Sequence, residues 1–393
     1  MNLFSVADKL ATPDRPSVIL DAPRCVRAKD RLSQCDICAR ACPVDALHLN
    51  TPITLDAKAC LACGLCLRVC PVGAYTGDDG TEDLLNCIAR LPDASAIELA
   101  CPRHPAPERG VNANATVICT STCLASFGPA VYLRLLTNGV PEIIARLDAC
   151  TECAIGRVQL EIARTLAAVG QLFPAHVSGV VEKPDPNAKT RQVYDVKTPP
   201  VSRRDFFRLM TSESVRTVAR AFTSETDDAP SGRTPPRERR RLLNTLKQLA
   251  PNDALQNLPA PGLDVVRLSA NDKCTACGVC ARACPTGAMR CAASASNEYR
   301  LTCLVASCTD CGVCLDMCEP EALRRDGMPT IADLLAPEPQ TLKSGRLKHC
   351  TKCNASFADH IAGDLCPVCD FRQRNPFGSW QPRARGPRRE TSA

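Results

Sequence analysis

The hydrophobic positions change period several times along the chain, and each change predicts an element. Apolar residues recur at helical spacing over Thr81–Leu91, and two apolar runs of strand length follow at Ala96–Ala100 and Ala115–Cys119. Pro129–Gly139 returns to the helical period, Glu142–Leu147 reads as a strand, and Gly156–Leu172 reads as an amphipathic helix. Elements alternating in this way predict a small α/β domain over residues 81–183 with a largely parallel sheet. Every long apolar stretch carries charge, as Ala154–Phe173 does with Arg157, Glu161 and Arg164, so no transmembrane helix is expected.

Past that domain the pattern weakens. Val180–Pro200 is rich in Pro, Lys and Asp, and Ser224–Pro236 in Ser, Thr, Asp and Pro; both read as linkers. Two helices are expected between residues 184 and 262. One runs from Arg203 to about Phe222, with Ser202 and Asp205 in capping-box positions, and one from Arg237 to about Ala250. The second opens with Arg237, Arg239, Arg240 and Arg241 against a single Glu238, which reads as a solvated basic face or, in the alternative, as a docking surface for an acidic partner. Ser202-Arg203-Arg204-Asp205-Phe206-Phe207 is similar to the twin-arginine export consensus. Its mid-chain position without a following apolar segment points to chance or ancestry.

Composition changes the picture. The 393 residues include 28 cysteines but only nine Phe, four Tyr and one Trp, too few aromatics for one large apolar core, and two or three domains are expected. The formal net charge of +6 permits nucleic-acid binding without demanding it. Met1–Pro23 has scattered charges and no apolar h-region, which argues against a secretory signal, and disulfide frameworks belong to short secreted chains, so metal binding in a reducing cytoplasm is the expectation. The cysteines fall in blocks over 25–70, 87–153, 274–318 and 350–369, and the first and third blocks share an internal plan that reads as a duplicated module.

Within those blocks the spacing is specific. Cys60-x2-Cys63-x2-Cys66-x3-Cys70-Pro71 recurs as Cys274-x2-Cys277-x2-Cys280-x3-Cys284-Pro285, and again as Cys308-x2-Cys311-x2-Cys314-x3-Cys318 with Glu319 before Pro320. Three thiolates two residues apart let a short loop wrap three corners of an iron-sulfur cube, and the fourth turns away toward a second cube. The fourth run, Cys35-x2-Cys38-x3-Cys42-Pro43, has Leu32 where its first cysteine should stand. On these motifs the chain resembles the bacterial two-cluster [4Fe-4S] ferredoxin family twice, over about 25–78 and 268–326.

The resemblance implies a fold and a ligand scheme. Each copy should be a compact pseudo-twofold unit with short strands such as Leu47–Asn50 and Ile53–Asp56 beside the cluster loops. The crossed ligand rule of the family implies four cubes, held by Cys60, Cys63, Cys66 and Cys42; by Cys274, Cys277, Cys280 and Cys318; by Cys308, Cys311, Cys314 and Cys284; and by Cys25, Cys35, Cys38 and Cys70. The last set needs Cys25 to reach in through a longer loop; otherwise a three-iron or absent cluster leaves Cys25 idle. Cys291 and Cys303 are surplus and read as packing residues.

In the middle block Cys101, Cys119 and Cys150 end predicted strands, with Cys123 and Cys153 just beyond, and strand ends of an open α/β sheet gather in one crevice. The arrangement is loosely similar to a small cysteine-rich subunit that passes electrons between hydrogenases and heterodisulfide reductases. It predicts an additional Fe-S cluster on Cys101, Cys119, Cys150 and Cys153, with Cys123 as the substitute; a Cys150/Cys153 dithiol or a Zn site are the alternatives. Cys87 reads as core. Cys350-x2-Cys353 and Cys366-x2-Cys369 resemble a zinc ribbon, with a rubredoxin-like iron as the alternative.

The expected fold class is α+β. Ferredoxin-like dicluster domains occupy 24–80 and 263–330, the cysteine-rich α/β domain 81–183, a linker 184–262, the ribbon 345–375 and a disordered basic tail 376–393. The expected function is that of a non-catalytic electron carrier or electron-transfer subunit, moving electrons through [4Fe-4S] clusters between donor and acceptor oxidoreductases. A dithiol/disulfide enzyme or sensor, and a regulatory nucleic-acid or protein binder with structural clusters, are the alternatives. Loaded clusters and zinc, each adding about −2, would turn the formal +6 to about −4, so redox proteins are expected as partners and nucleic acid is not. Peripheral attachment through a membrane complex stays open.

Overall fold

The computed structural model of the protein describes residues 18–30, 33–91, 96–110, 112, 114–185, 190–199, 233–249 and 253–377. The expected helix at 203–222, the twin-arginine-like segment, Leu32 and residues 378–393 of the tail lie outside the described residues.

In the first cysteine block, β1 (Val18–Leu20), β2 (Leu47–His48), β3 (Thr54–Leu55) and β4 (Tyr75–Gly77) form two short antiparallel ladders, β1 with β4 and β2 with β3. The strands are short because the cysteine loops take up most of the chain, and the apolar residues between them close a small core of Val18, Val26, Leu47, Leu67, Val72 and Tyr75.

The middle block forms a five-stranded, wholly parallel sheet from β5 (Ile97–Ala100), β6 (Thr116–Cys119), β7 (Ile143–Arg146), β8 (Val177–Val180) and β9 (Val193–Asp195), in the order β8-β7-β5-β6-β9. Helices Thr81–Ile88, Pro129–Thr137 and Gln159–Leu172 fall where the periodicity predicts them. Both β5 and β7 are buried along their whole length, as central parallel strands covered on both faces must be. The edge strand β9 comes from residues whose composition reads as linker, so the sheet extends past residue 183. It is three residues long, too short for an alternation signal, and is held by pairing with β6.

The third block repeats the first. Strands β10 (Leu268–Ala270), β11 (Met289–Ala293), β12 (Glu298–Cys303) and β13 (Leu323–Arg325) pair as β10 with β13 and β11 with β12, all antiparallel. Then β14 (Gln340–His349) lies antiparallel to β12 and carries β15 (Ser356–Ala358) on its other edge. The C-terminal cysteines therefore hang from a four-stranded sheet, β11-β12-β14-β15, continuous with the second ferredoxin-like hairpin.

Helix Arg237–Leu249 corrects the solvated-face expectation. Arg239 is buried and donates to the carbonyls of Leu263 (3.2 Å) and Asp264 (2.5 Å). Arg237 reaches the Gly77 carbonyl at 3.1 Å and Asp79 at 3.2 Å, and Arg241 reaches Asp79 at 2.5 Å. Glu238 accepts from the backbone N–H of Ala130 at the start of helix Pro129–Thr137. Three of the four arginines thus tie the first block, the middle sheet and the chain entering the third block together; Arg240 alone is exposed.

Candidate metal centres

The three complete runs share one backbone course. Ala62 and Gly64, Ala276 and Gly278, and Asp310 and Gly312 all have positive φ, between 45° and 74°, so the chain curls around the second and third positions of each run. A short helix follows, Leu65–Val69, Val279–Ala283 or Val313–Asp316, and delivers the fourth cysteine. After it, Gly73, Gly287 and Glu321 again have positive φ, as does Asp45 after Cys42. That second curl turns a backbone N–H back onto sulfur: Ala46 onto Cys42 (3.3 Å), Ala74 onto Cys70 (3.2 Å), Ala322 onto Cys318 (3.2 Å) and Met289 onto Cys284 (3.5 Å). The same geometry after Glu319-Pro320 as after Cys-Pro shows that the displaced proline leaves the turn intact. The run lacking its first cysteine starts its helix, Ile37–Ala41, at the same place, one residue before Cys38, but Asp36, the counterpart of Gly64, has φ of −134° in place of the left-handed turn.

The cysteines gather across runs. A recess of about 400 Å³ is lined by Cys274, Cys277, Cys280 and Cys318, together with Cys291. A second, of about 370 Å³, is lined by Cys284, Cys308, Cys311 and Cys314. In the first block, burial and then the charge of Cys63, Cys60 and Cys42 push the Cys66 thiol up. Burial pushes Cys70 up to about 11, with Cys38 and Cys35 adding to it. Cys25 adds to the upward shift that burial gives Cys38, which places Cys25 beside the run that lacks a cysteine at Leu32. Four thiols brought together from two runs, with backbone N–H groups aimed at sulfur, are what a multinuclear iron centre requires of its ligands. The residues present therefore fit iron-sulfur clusters, which when bound supply one-electron transfer.

Three neighbours of these sets lie outside the four implied ligand groups, and of them only Tyr75 carries no signal in the sequence. Tyr75 is buried and hydrogen-bonds the Cys38 sulfur. Cys303 is buried on β12 and shares a hydrogen bond with Cys308, holding the Cys308 thiol down at about 7 and its own well above the ordinary range. Cys291 is half-buried and opens into the first recess.

In the middle sheet the strand ends deliver Cys101, Cys119 and Cys150 as the topology predicts, but the thiols divide. Burial pushes Cys123 up to about 12, and Cys101, Cys63 and Cys150 add to it. Burial likewise raises Cys150 to about 12, with Cys101 and Cys153 contributing. Burial raises the Cys119 thiol too, and Asp195, its register partner on β9, and then Cys101 add to it; the thiol lies 3.9 Å and 4.0 Å from the carbonyls of Cys101 and Thr120. Cys87 is fully buried on helix Thr81–Ile88.

Beneath these loops lies an ion cluster. Arg146, 1 % exposed, binds Asp148 through Nε (2.8 Å) and Nη2 (2.9 Å) and Glu98 through Nη1 (3.2 Å); His104 meets Asp148 at 3.1 Å. Arg191 closes on Glu98 at 2.8 Å. The cluster fixes the Cys101 loop through His104 and the Cys150 loop through Asp148.

At the C-terminus the Sγ atoms of Cys350, Cys353, Cys366 and Cys369 all lie within 4.8 Å of one another. A metal–sulfur bond of 2.3 Å in a tetrahedron sets S···S near about 3.8 Å, so this is the spacing of a single ion. His349 and His360 are engaged elsewhere, with the carbonyls of Asn354 (3.3 Å) and Asp272 (2.8 Å). Ala358 also donates to the Thr275 carbonyl, setting the ribbon hairpin against the Cys274–Cys277 loop.

Comparison with known proteins agrees with the loops. Residues 33–74 match the family model of the 4Fe-4S dicluster domain, and residues 271–290 match that of the 4Fe-4S binding domain. No curated protein matches the chain. No helix among the described residues is long and apolar enough to cross a membrane. The curled cysteine runs and the two matches together identify a protein that carries two copies of a 4Fe-4S ferredoxin-type module.

Proposed function

We propose that the protein is an electron carrier, or the electron-transfer subunit of a larger oxidoreductase, in which the cysteine sets of both modules stand in one row. The observation that carries this is the sharing of one buried core by Cys35 and Cys70 of the first module and Cys311 of the second, with Val313, Ala283 and Met317 packed among first-module residues. Cys35 also lies close enough to Cys311 to raise its thiol, after burial. Within each module the neighbouring sets are in reach as well, Cys66 with Cys38 and Cys314 with Cys280. The row then runs from the Cys274, Cys277, Cys280, Cys318 set through those of Cys308 and Cys35 to that of Cys60, with Cys25 completing the third. The chain's part is to hold the thiolates, exclude water and aim N–H and O–H groups at sulfur, the means by which a protein sets cluster potentials.

The partners in this reading are a donor and an acceptor redox protein, docked at opposite ends of the row, in the reducing cytoplasm that so many unbridged thiols suit. The ribbon set takes zinc, as a structural support for the outer loop of the second module. Anaerobic purification with iron, sulfide and zinc analysis tests the reading. It expects at least about sixteen irons with one zinc per chain; iron near zero after reconstitution overturns it.

A further inference from the structure

The loops of the middle sheet do not simply lie near the first module; they grip its outer cluster loop. Arg103, two residues after Cys101, donates to the carbonyl of Leu61, between Cys60 and Cys63 (3.2 Å). Gly64, next to Cys63, backs directly onto Ser126, three residues after Cys123. Arg68 at the end of the same loop donates to the Ala125 carbonyl (3.3 Å), and Ser126 Oγ to the Asp79 carbonyl (3.0 Å). Cys63, Cys101, Cys123 and Cys150 all border the same apolar core.

The loops themselves are built alike. The carbonyls of Cys101, Cys123 and Cys150 each accept the N–H three residues on, from His104, Ser126 and Cys153. Gly156 then folds so tightly over Cys150 that a Cβ there would lie 2.1 Å from its carbonyl oxygen. The buried Arg146 cluster fixes two of the three loops from below. Among the described residues the ribbon thiols are the set that converges to single-ion spacing.

We infer that Cys101, Cys123, Cys150 and Cys153 hold a further iron-sulfur cluster, seated against the Cys60–Cys66 loop, and that Cys119 is not a ligand. Sequence order favours Cys119 because it ends a strand. In the fold its thiol lies beside Asp195 of β9 and, among cysteines, near Cys101, 3.9 Å from that residue's carbonyl, whereas Cys123 neighbours Cys101, Cys63 and Cys150 together. The inference rests on the reading of the ferredoxin modules only for its neighbour, not for its ligands.

The test compares the full-length wild type with Cys123→Ser and Cys119→Ser, all purified anaerobically, by iron and zinc content and by Mössbauer and EPR spectra. The expected result is that Cys123→Ser loses about two to four irons and one spectral component while keeping about sixteen irons and one zinc. Those retained signals show that it is folded. Cys119→Ser should match the wild type. Unchanged iron in Cys123→Ser, loss in Cys119→Ser instead, or a second zinc in the wild type overturns the inference and leaves the four-cluster reading standing. Absence of iron from the wild type overturns both.

Discussion

Gly64 and Ser126 stand so close that a Cβ on Gly64 would lie 2.6 Å from the Ser126 Cβ. The contact joins the outer cysteine loop of the first module to the strand-end loop of the parallel sheet. Gly64 also has φ of 74°, so alanine there meets both a left-handed backbone and a rigid neighbour. Gly278, its counterpart in the second module, has φ of 67°, but a Cβ would meet the far end of Arg282 at 3.2 Å and Cys291 only at ordinary contact distance, 3.8 Å. Gly64→Ala should therefore cost about 2–4 kcal/mol and Gly278→Ala about 1 kcal/mol. Thermal melts of the two metal-loaded variants check this; equal losses would mean that the loops do not press on one another.

The buried Arg146 cluster should make stability depend on pH in a defined window. Burial acts to raise the Asp148 carboxyl, but hydrogen bonds from His104 and Arg146, with the charge of Arg146, hold it well below the usual range. A carboxyl with a depressed folded pKa contributes fully above its unfolded value, near about 3.9, and loses that contribution as pH falls toward the folded value. Asp148→Asn should then be less stable than the wild type by about 3 kcal/mol at pH 7. The gap should narrow below about pH 4. Urea unfolding of both proteins at several pH values measures it, and a gap that stays constant in acid would contradict the assignment.

Arg239 and Arg240 separate a structural bolt from a solvated face. Arg239→Ala strips charged donors from two carbonyls and should cost about 3 kcal/mol, whereas the exposed Arg240→Ala should stay within about 0.5 kcal/mol. If both are neutral by denaturant midpoint, the helix is only a basic surface.

For the ribbon, Cys353→Ser should remove one zinc per chain and leave the iron content unchanged, because its thiol group is closed and separate from the cluster recesses. Iron loss alongside the zinc would show that the ribbon ligands take part in a cluster.

The ferredoxin runs were legible because their geometry is local: three cysteines at two-residue spacing, with small residues at positions such as Ala62 and Gly64, encode their own curl. The parallel sheet was legible through its periodicity. Other features depend on partners distant in sequence. The direction of Arg239 is set by carbonyls at 263 and 264, and β9 exists only through its pairing with β6. β14 reads as mixed polar sequence around Gly345 and is a strand because β12 offers it an edge. That Cys123 comes near Cys63 depends on where a loop folds after its strand, which strand prediction does not contain. Ligand counting names Cys25, and the fold brings it near Cys38.

The central claim is that cysteine sets from both modules form one row, joined where Cys35 and Cys311 share a core. The most direct measurement is EPR of the fully reduced, metal-loaded protein, set beside spectra at partial reduction in a potential titration. The account predicts signals that are simple at low reduction and become broadened and split by spin-spin interaction as neighbouring sites fill, with an interaction between modules that Cys311→Ser removes. Fully reduced spectra that remain a sum of isolated signals, or in which Cys311→Ser leaves the inter-module coupling unchanged, would contradict it.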